Sequence, residues 1–130
     1  MSASDVIARY GAAMAAGDMD ALRSTLSNHA VWHQPGENQL SGDHAGPDAI
    51  LAHLGRFMEL SGGTFALSIE SVAEAGALVA TTVHFTASRP DHADLDQHGV
   101  DVFRVDGDQI AEVWLISEDQ AAEDRFWGTA

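Results

Sequence analysis

The chain lacks cysteine entirely, so disulfide bonds, thiolate nucleophiles and cysteine-bound metal clusters are excluded. It also lacks lysine, and its six arginines stand against 20 acidic residues, which gives a formal net charge of -14. This excess of negative charge opposes binding to nucleic acid and to anionic membrane surfaces. We therefore expect neither partner.

Long apolar runs, internal repeats and Pro/Gly/Ser linkers are missing too, and no basic segment followed by an apolar core opens the chain. We therefore expect a cytoplasmic protein without a membrane segment. With 130 residues, 45% of them hydrophobic, the chain can bury one core but is short for two. The prediction is one domain over residues 1–130.

The first half of the chain carries apolar residues at helical spacing. Val6, Ile7, Tyr10 and Ala13 recur on one face of an amphipathic helix, and Gly17 suits its end. The same reasoning predicts the remaining elements of this half and the last helix. Helices are predicted from about Ser4 to Ala16, after an Asp18 cap, from Pro47 to near Gly62 and over Glu118–Trp127, with a short strand at Ala30–Gln34 and a polar loop at Glu37–Gly46.

From Phe65 onward the apolar period changes to two, which indicates strands. The clearest signal is a hairpin over Gly99–Ile116, with Asp106-Gly107 as its tight turn. Helices first and antiparallel strands later predict an α+β fold, with helices packed on one face of a curved antiparallel sheet. Such a cone has a concave, mostly apolar interior.

One carboxylate of the hairpin is unusual because of the face on which it lies. Alternation puts Asp101 with Phe103 and Val105, and opposite Val100 and Val102. Burying a bare charge among apolar residues costs several kcal/mol or more, on the order of the whole stability of a small domain. Asp101 must therefore border a cleft, be hydrogen-bonded, or be neutral. We expect Asp101 and Tyr10 to face a pocket lined by Trp32, Gln34, Phe57, Val83, Phe85 and Phe103.

Several segments together resemble the NTF2-like superfamily, in particular ketosteroid isomerases and SnoaL-like polyketide cyclases. The segments are Arg9-Tyr10, Ala15–Leu22, Val31–Pro35, Leu40–Gly42, Gly46–Ile50 and Asp101–Val105 with Gly107, so the resemblance covers nearly the whole chain.

This resemblance implies a cystatin-like cone with Tyr10 and Asp101 as oxyanion-stabilising donors, since ketosteroid isomerases pair a tyrosine with a protonated aspartic acid. It implies cofactor-independent proton transfer, of isomerase, cyclase or hydrolase type, on a small hydrophobic cyclic molecule. The carboxylate that precedes the proline in ketosteroid isomerases falls on Gln34, whose amide is no general base. A non-catalytic ligand-binding or dimerisation module therefore stays open as the alternative.

The histidines offer few other candidates. His33 is a possible base only if a bulge or the strand end turns it inward, because alternation points it away from the face of Trp32 and Gln34. His44 and His53 are expected at the surface or at the pocket rim.

Metal ligands alternate over His92, Asp94, Asp96 and His98, but we interpret them as a solvated strand start and predict no metal site. No phosphate-binding loop or dinucleotide fingerprint is found, so no nucleotide cofactor is expected. The other sheet face is too apolar for water, which predicts a homodimer through it. Its residues are His84, Val100, Val102, Glu112, Trp114 and Ile116.

Overall fold

The computed structural model describes residues 1–129. Its elements, in chain order, are α1 Ala3–Ala16, α2 Met19–Ser24, β1 Leu26–Gln34, β2 Gly42–Ala45, α3 Pro47–Leu60, β3 Ala66–Ala75, β4 Leu78–Ala87, β5 Leu95–Asp106, β6 Gln109–Ser117 and α4 Gln120–Trp127. Helices and strands are thus largely segregated along the chain. The predicted α+β class is confirmed, as are the four predicted helices.

The six strands form one sheet in the order β2-β1-β6-β5-β4-β3. All neighbouring pairs are antiparallel except β1 and β6, which run parallel. This pair is a difference from the wholly antiparallel sheet that the sequence predicts. Most of the chain separates β1 from β6, so no hairpin forces them to run in opposite directions.

Strand β2 corrects the prediction that the whole of residues 37–46 is a loop. Gly42–Ala45 pairs with the end of β1, from Gln34 back to Val31. The strand has no buried residue and no apolar alternation. Main-chain pairing alone defines it, which is why side-chain patterns do not reveal it.

The β5–β6 hairpin forms as predicted, with its turn one residue later. Asp106 pairs with Gln109, so the loop residues are Gly107 and Asp108. Gly107 has φ 65°, a conformation that costs L residues about 1–2 kcal/mol. Glycine is also required at Gly99, where a Cβ atom would lie 2.6 Å from the carbonyl oxygen of Ile116.

Helices α1, α3 and α4 pack over the concave face of the sheet, where two apolar clusters form. We call the cluster under α1 the narrow cluster and the cluster under α4 the wide cluster. Leu54 of α3 packs against both. The larger side chains of the narrow cluster are Ile7, Tyr10, Leu22, Leu26, Trp32, Ile50, Phe103 and Ile110, and those of the wide cluster are Leu40, Phe57, Phe85, Leu95, Phe126 and Trp127. No helix within residues 1–129 is long and apolar enough to cross a membrane.

On the convex face, His33 connects three strands. Its Nδ1 lies 2.7 Å from the Asp43 carboxylate of β2 and its Nε2 lies 2.6 Å from the Glu112 carboxylate of β6. The ring also stacks on Trp114. Hydrogen bonds to Glu112 and then Asp43 raise the pKa of His33 above its usual 6.5.

We predict that His33→Gln destabilises the fold more at pH 6 than at pH 9. Because the pKa of His33 is higher in the folded than in the unfolded protein, its contribution is complete below pH 6.5 and is lost as the pH rises through the folded value. Thermal unfolding at both pH values measures the effect. His29→Gln, an exposed position on the same strand, is the control. An equal loss at both pH values would contradict the ion-pair interpretation.

Candidate functional site

A row of three cross-strand neighbours separates the two apolar clusters on the concave face. Asp101 of β5 pairs with Thr81 of β4 on one side and with Leu115 of β6 on the other. The next inward-facing row toward the narrow cluster contains Phe103, and the next toward the wide cluster contains Val83. Tyr10 of α1 and Glu123 of α4 interact electrostatically with Asp101 in this row, and His53 of α3 is hydrogen-bonded to Gln34 of β1. We call these residues the polar belt: Tyr10, Gln34, His53, Thr81, Asp101 and Glu123.

Tyr10 comes from α1, where it follows Ile7 by three residues on the buried face. Its ring meets the edge of Phe103 at a centroid distance of 5.5 Å, and Phe103 stands two residues from Asp101 on the same strand face. Burial, and secondarily the charge of Asp101, raise the pKa of the Tyr10 hydroxyl far above 10. Tyr10 is therefore a hydrogen-bond donor at any physiological pH.

The Asp101 carboxyl has a pKa close to neutrality. Burial, and secondarily the neighbouring carboxyl of Glu123, raise its pKa from 3.8 to about 7. Glu123 of α4 is itself buried, accepts a hydrogen bond from the Ser117 hydroxyl, and has a raised pKa because of its burial. Two carboxyls in one poorly hydrated region disfavour double ionisation. Asp101 thus exists in both protonation states near pH 7.

The functional groups of Tyr10 and Asp101 are unpartnered but not sealed. Within residues 1–129, neither the Tyr10 hydroxyl nor the Asp101 carboxyl has a hydrogen-bond partner; Asp101 is engaged only through its main chain. Two other polar atoms within residues 1–129, His53 Nδ1 and Trp127 Nε1, have no hydrogen-bond partner and are closed to solvent. Tyr10 is 7% exposed and Asp101 is half-buried, so both residues keep some contact with solvent.

Gln34 ends β1 on the concave side and is 6% exposed. Its Oε1 accepts two hydrogen bonds, from Trp32 Nε1 at 3.0 Å and from His53 Nε2 at 3.0 Å. The amide is thus held between β1 and α3. Gln34 lies where the resemblance places a carboxylate, and a single oxygen of its amide accepts both of these bonds.

The prediction that His53 lies at the surface or rim is wrong, because His53 is 1% exposed. It follows Ile50 by three residues and precedes Phe57 by four, so it shares their buried helix face. His44 is half-buried on β2 and its ring stacks on His53 at a centroid distance of 3.8 Å. Burial, then the neighbouring His44 and Arg56, lower the pKa of His53 to about 3, which keeps the ring neutral.

The apolar residues predicted to line the pocket are all buried on the concave side, but they divide between the two clusters. Trp32 and Phe103 belong to the narrow cluster, and Phe57, Val83 and Phe85 belong to the wide cluster. Their role as a ligand-contacting surface remains a prediction. The placement of the clusters means that a ligand at the belt would contact apolar side chains on both sides.

Two surface clefts lie away from the belt. One, of about 480 Å³, runs between α1 and β3 along Ile7, Gly11, Ile69 and Val72. The other, of about 260 Å³, lies between Thr64 and the start of β5. Neither cleft is lined by a residue of the polar belt.

The remaining histidines occupy the convex side or the loops. His33 faces outward as alternation predicts, and both of its ring nitrogens are engaged by carboxylates. Asp96 binds His84, and His92 binds the carbonyl of Pro90. Within residues 1–129, no group of three or more histidine and carboxylate side chains is arranged to hold a metal ion.

Three belt residues, Thr81, His53 and Glu123, are not among the predicted site residues, although the sequence contains a signal for the two that lie on helices. Glu123 precedes Phe126 by three residues and Trp127 by four, so it shares the buried face of α4 with that pair. His53 stands in the same relation to Ile50 and Phe57. In both cases, spacing on a helix face is the better guide, and residue polarity is misleading.

Solved structures share this architecture over almost the whole chain. A protein of unknown function with a cystatin-like fold from Xanthomonas campestris is 40% identical, with 98% of this chain and 99% of that chain covered and a TM-score of 0.91. Bal32a, from a soil-derived mobile gene cassette, is 31% identical, with 97% and 96% covered and a TM-score of 0.91. IdmH from Streptomyces antibioticus, a proposed polyketide cyclase, is 21% identical, with 91% and 93% covered and a TM-score of 0.74, which shows a common fold.

These similarities define the class as the cystatin-like or NTF2-like α+β fold. The sequence profile of the SnoaL-like domain matches residues 7–113. The chain therefore belongs to the SnoaL-like family, and the predicted resemblance is confirmed. The matched segment includes Tyr10, Gln34 and Asp101, and it ends before α4 and Glu123.

We predict that Asp101→Asn raises the free energy of unfolding, relative to the wild type, more at pH 8 than at pH 5. The pKa of Asp101 in the folded protein, about 7, exceeds its ordinary value of 3.8, so the wild type loses stability as the pH rises between these two values. The asparagine variant has no such loss, and its advantage should grow from pH 5 to pH 8 by on the order of 2 kcal/mol. Denaturant unfolding measures this difference.

The control is Asp106→Asn, an exposed carboxylate on the same strand. Its effect on the free energy of unfolding should be similar at both pH values. An Asp101→Asn variant whose advantage is the same at pH 5 and pH 8 would show that Asp101 is ionised in the folded protein throughout this range.

Proposed function

We propose that the concave interior binds a small hydrophobic, cyclic molecule at the polar belt, and that Tyr10 and Asp101 stabilise negative charge on one of its oxygen atoms. The reaction is cofactor-independent proton transfer of isomerase or cyclase type. The observation that carries the proposal is the presence of two unpartnered, solvent-reachable oxygen groups between two apolar clusters. Unused donors in such a place are available to a ligand.

The chemistry of the two groups supports this role. Tyr10 keeps its proton because its pKa is raised, and Asp101 carries a proton below a pKa of about 7. Donors that are preorganised in a poorly hydrated site stabilise a developing enolate more strongly than water does. The similarity in fold to a proposed polyketide cyclase agrees with a cyclic substrate but does not by itself specify one.

A second candidate is a non-catalytic ligand-binding or dimerisation module, and Gln34 favours it. Within the described residues of the belt, Gln34 supplies no proton acceptor where ketosteroid isomerases have a carboxylate. The same pocket would then bind its ligand without turnover. The two candidates differ in whether loss of a donor changes a rate or only an affinity.

We predict that Tyr10→Phe and Asp101→Asn each lower kcat/KM on enolisable cyclic ketones by about 10²–10³-fold, since one oxyanion donor is worth about 3 kcal/mol. Wild-type activity should be present below pH 7 and fall as the pH rises through the pKa of Asp101, because the donor is lost. The measurement is the rate of isomerisation across a ketone panel, with Asp106→Asn as control.

Equal rates in the wild type and both variants would refute the assigned roles. Saturable ketone binding without turnover in any of the proteins would favour the non-catalytic module.

We further propose that a second copy of this chain covers the convex sheet face. The centre of this face contains Val100, Val102, Trp114 and Ile116, and Ile116 is 61% exposed. The pair of His84 with Asp96 and the pair of Arg104 with Glu112 lie on the same face. An apolar centre with charged pairs beside it suits a self-complementary twofold interface.

We predict that Ile116→Arg converts a dimer to a monomer, because each copy of a twofold interface would bury an unpaired charge. Sedimentation velocity measures the change. Val72→Arg is the matched control, since Val72 is 51% exposed but lines the cleft between α1 and β3 on the concave side. A wild-type monomer, or a variant that remains dimeric, would contradict the proposed interface.

A further inference from the structure

The orientation of the Gln34 amide follows from the chemistry of its neighbours. Trp32 Nε1 carries a hydrogen and can only donate, so the Gln34 atom that lies 3.0 Å from it must be the oxygen. The amide nitrogen therefore points the other way. This assignment does not depend on distinguishing oxygen from nitrogen in the side chain itself.

The same oxygen fixes the tautomer of His53. Because Gln34 Oε1 can only accept, His53 Nε2 at 3.0 Å must carry the hydrogen, and Nδ1 carries none. The lowered pKa of His53, about 3, keeps this neutral form across the working pH range. Two donors from two elements, β1 and α3, thus hold one acceptor.

The Nε2 hydrogens of Gln34 remain free. Within the described chain this nitrogen has no partner, and it is absent from the unpartnered atoms that are closed to solvent. In the parallel β1–β6 register, Trp32 aligns with Val113, so Gln34 aligns with Leu115, which in turn pairs with Asp101. Two strand spacings separate Gln34 from Asp101, about 10 Å between main chains, a distance that a ring-sized ligand spans.

We propose that Gln34 is a hydrogen-bond donor to the ligand, oriented by Trp32 and His53, and that the belt selects molecules presenting acceptor oxygens: ring ketones, enolates or phenolates. Tyr10, Gln34 and protonated Asp101 then form a site made of donors. Trp32 and His53 are positioning residues. The inference rests on the proposed function, because it specifies the ligand class of the same site.

The isosteric variant Gln34→Glu tests the inference directly. One carboxylate oxygen keeps the bonds from Trp32 and His53, and the other places negative charge where the wild type has N–H groups. The probe is 4-nitrophenol at pH 6, where Asp101 is mainly protonated. It carries acceptor oxygens at both ends of the ring, its hydroxyl is an acid of about the same strength as Asp101, and its absorbance distinguishes the phenol from the phenolate. A hydrogen bond to a charged group is worth about 1.5–3 kcal/mol, so affinity should fall at least about tenfold.

The spectrum gives a readout that a merely structural role would not change. The wild type should bind the probe with an increased phenolate fraction, and Gln34→Glu should bind it as the neutral phenol. Gln109→Glu adds the same charge at the hairpin and should behave as wild type. If Gln34→Glu does not fold, Gln34→Met removes the donors without adding charge and should lose the phenolate shift.

The orienting bonds are tested by removing them. His53→Phe leaves Trp32 Nε1 to hold the oxygen, so the phenolate shift should persist. The double variant Trp32→Phe, His53→Phe frees the amide to rotate, and the shift should decrease. An unchanged shift in the double variant would refute the positioning roles.

The outcomes separate the inference from the proposed function. Wild-type binding that Gln34→Glu leaves unchanged overturns the donor role of Gln34 alone. Binding that Gln34→Glu weakens but Tyr10→Phe does not supports Gln34 and contradicts the role proposed for Tyr10. No binding of 4-nitrophenol by the wild type overturns the donor site and the interior pocket together.

Discussion

The pairing of β5 on both of its sides is the constraint from which the rest of the site follows. From Gly99 to Arg104 the strand is in continuous register with β4 and with β6. A shift by one residue would exchange the two faces of the strand, moving Asp101 outward and Val100 and Val102 inward. Phe103 and Val105, buried beside α1, make such a shift costly. The carboxyl is held inside by the apolar residues around it.

This arrangement explains why Asp101 could be predicted from the sequence. Strict alternation in a strand assigns every side chain to a face once a single apolar residue is placed. The same rule correctly sends His33 outward. The position of Tyr10 is predictable in a similar way, because Ile7, Tyr10 and Ala13 form a regular helical stripe. Where the helical or strand period alone determines which face a side chain occupies, the sequence is sufficient to predict its position.

Other parts of the site depend on contacts between distant segments, which local periodicity does not contain. β2 exists because the end of β1 offers it a free edge, and the parallel β1–β6 pair unites segments from opposite ends of the chain. The prediction for His53 is wrong because its polarity alone suggests the protein surface, whereas its ring donates a hydrogen bond to Gln34 in the interior. Glu123 acquires its significance only when α4 docks beside Asp101. In these cases the position of a residue depends on which distant residues it contacts, and not on its own preference for a helix, a strand or the surface.

Helix α4 is held at both ends: Gln97 binds the main chain at Asp119, and Arg89 binds the carbonyls of Phe126 and Trp127. It carries Glu123, the second cause of the raised pKa of Asp101, and it lies beyond the segment that defines the family. The acidity of the central carboxyl is therefore adjustable from a peripheral helix. Exchanging that helix would reset the working pH of the interior while leaving the sheet, and the residues that face it, as they are.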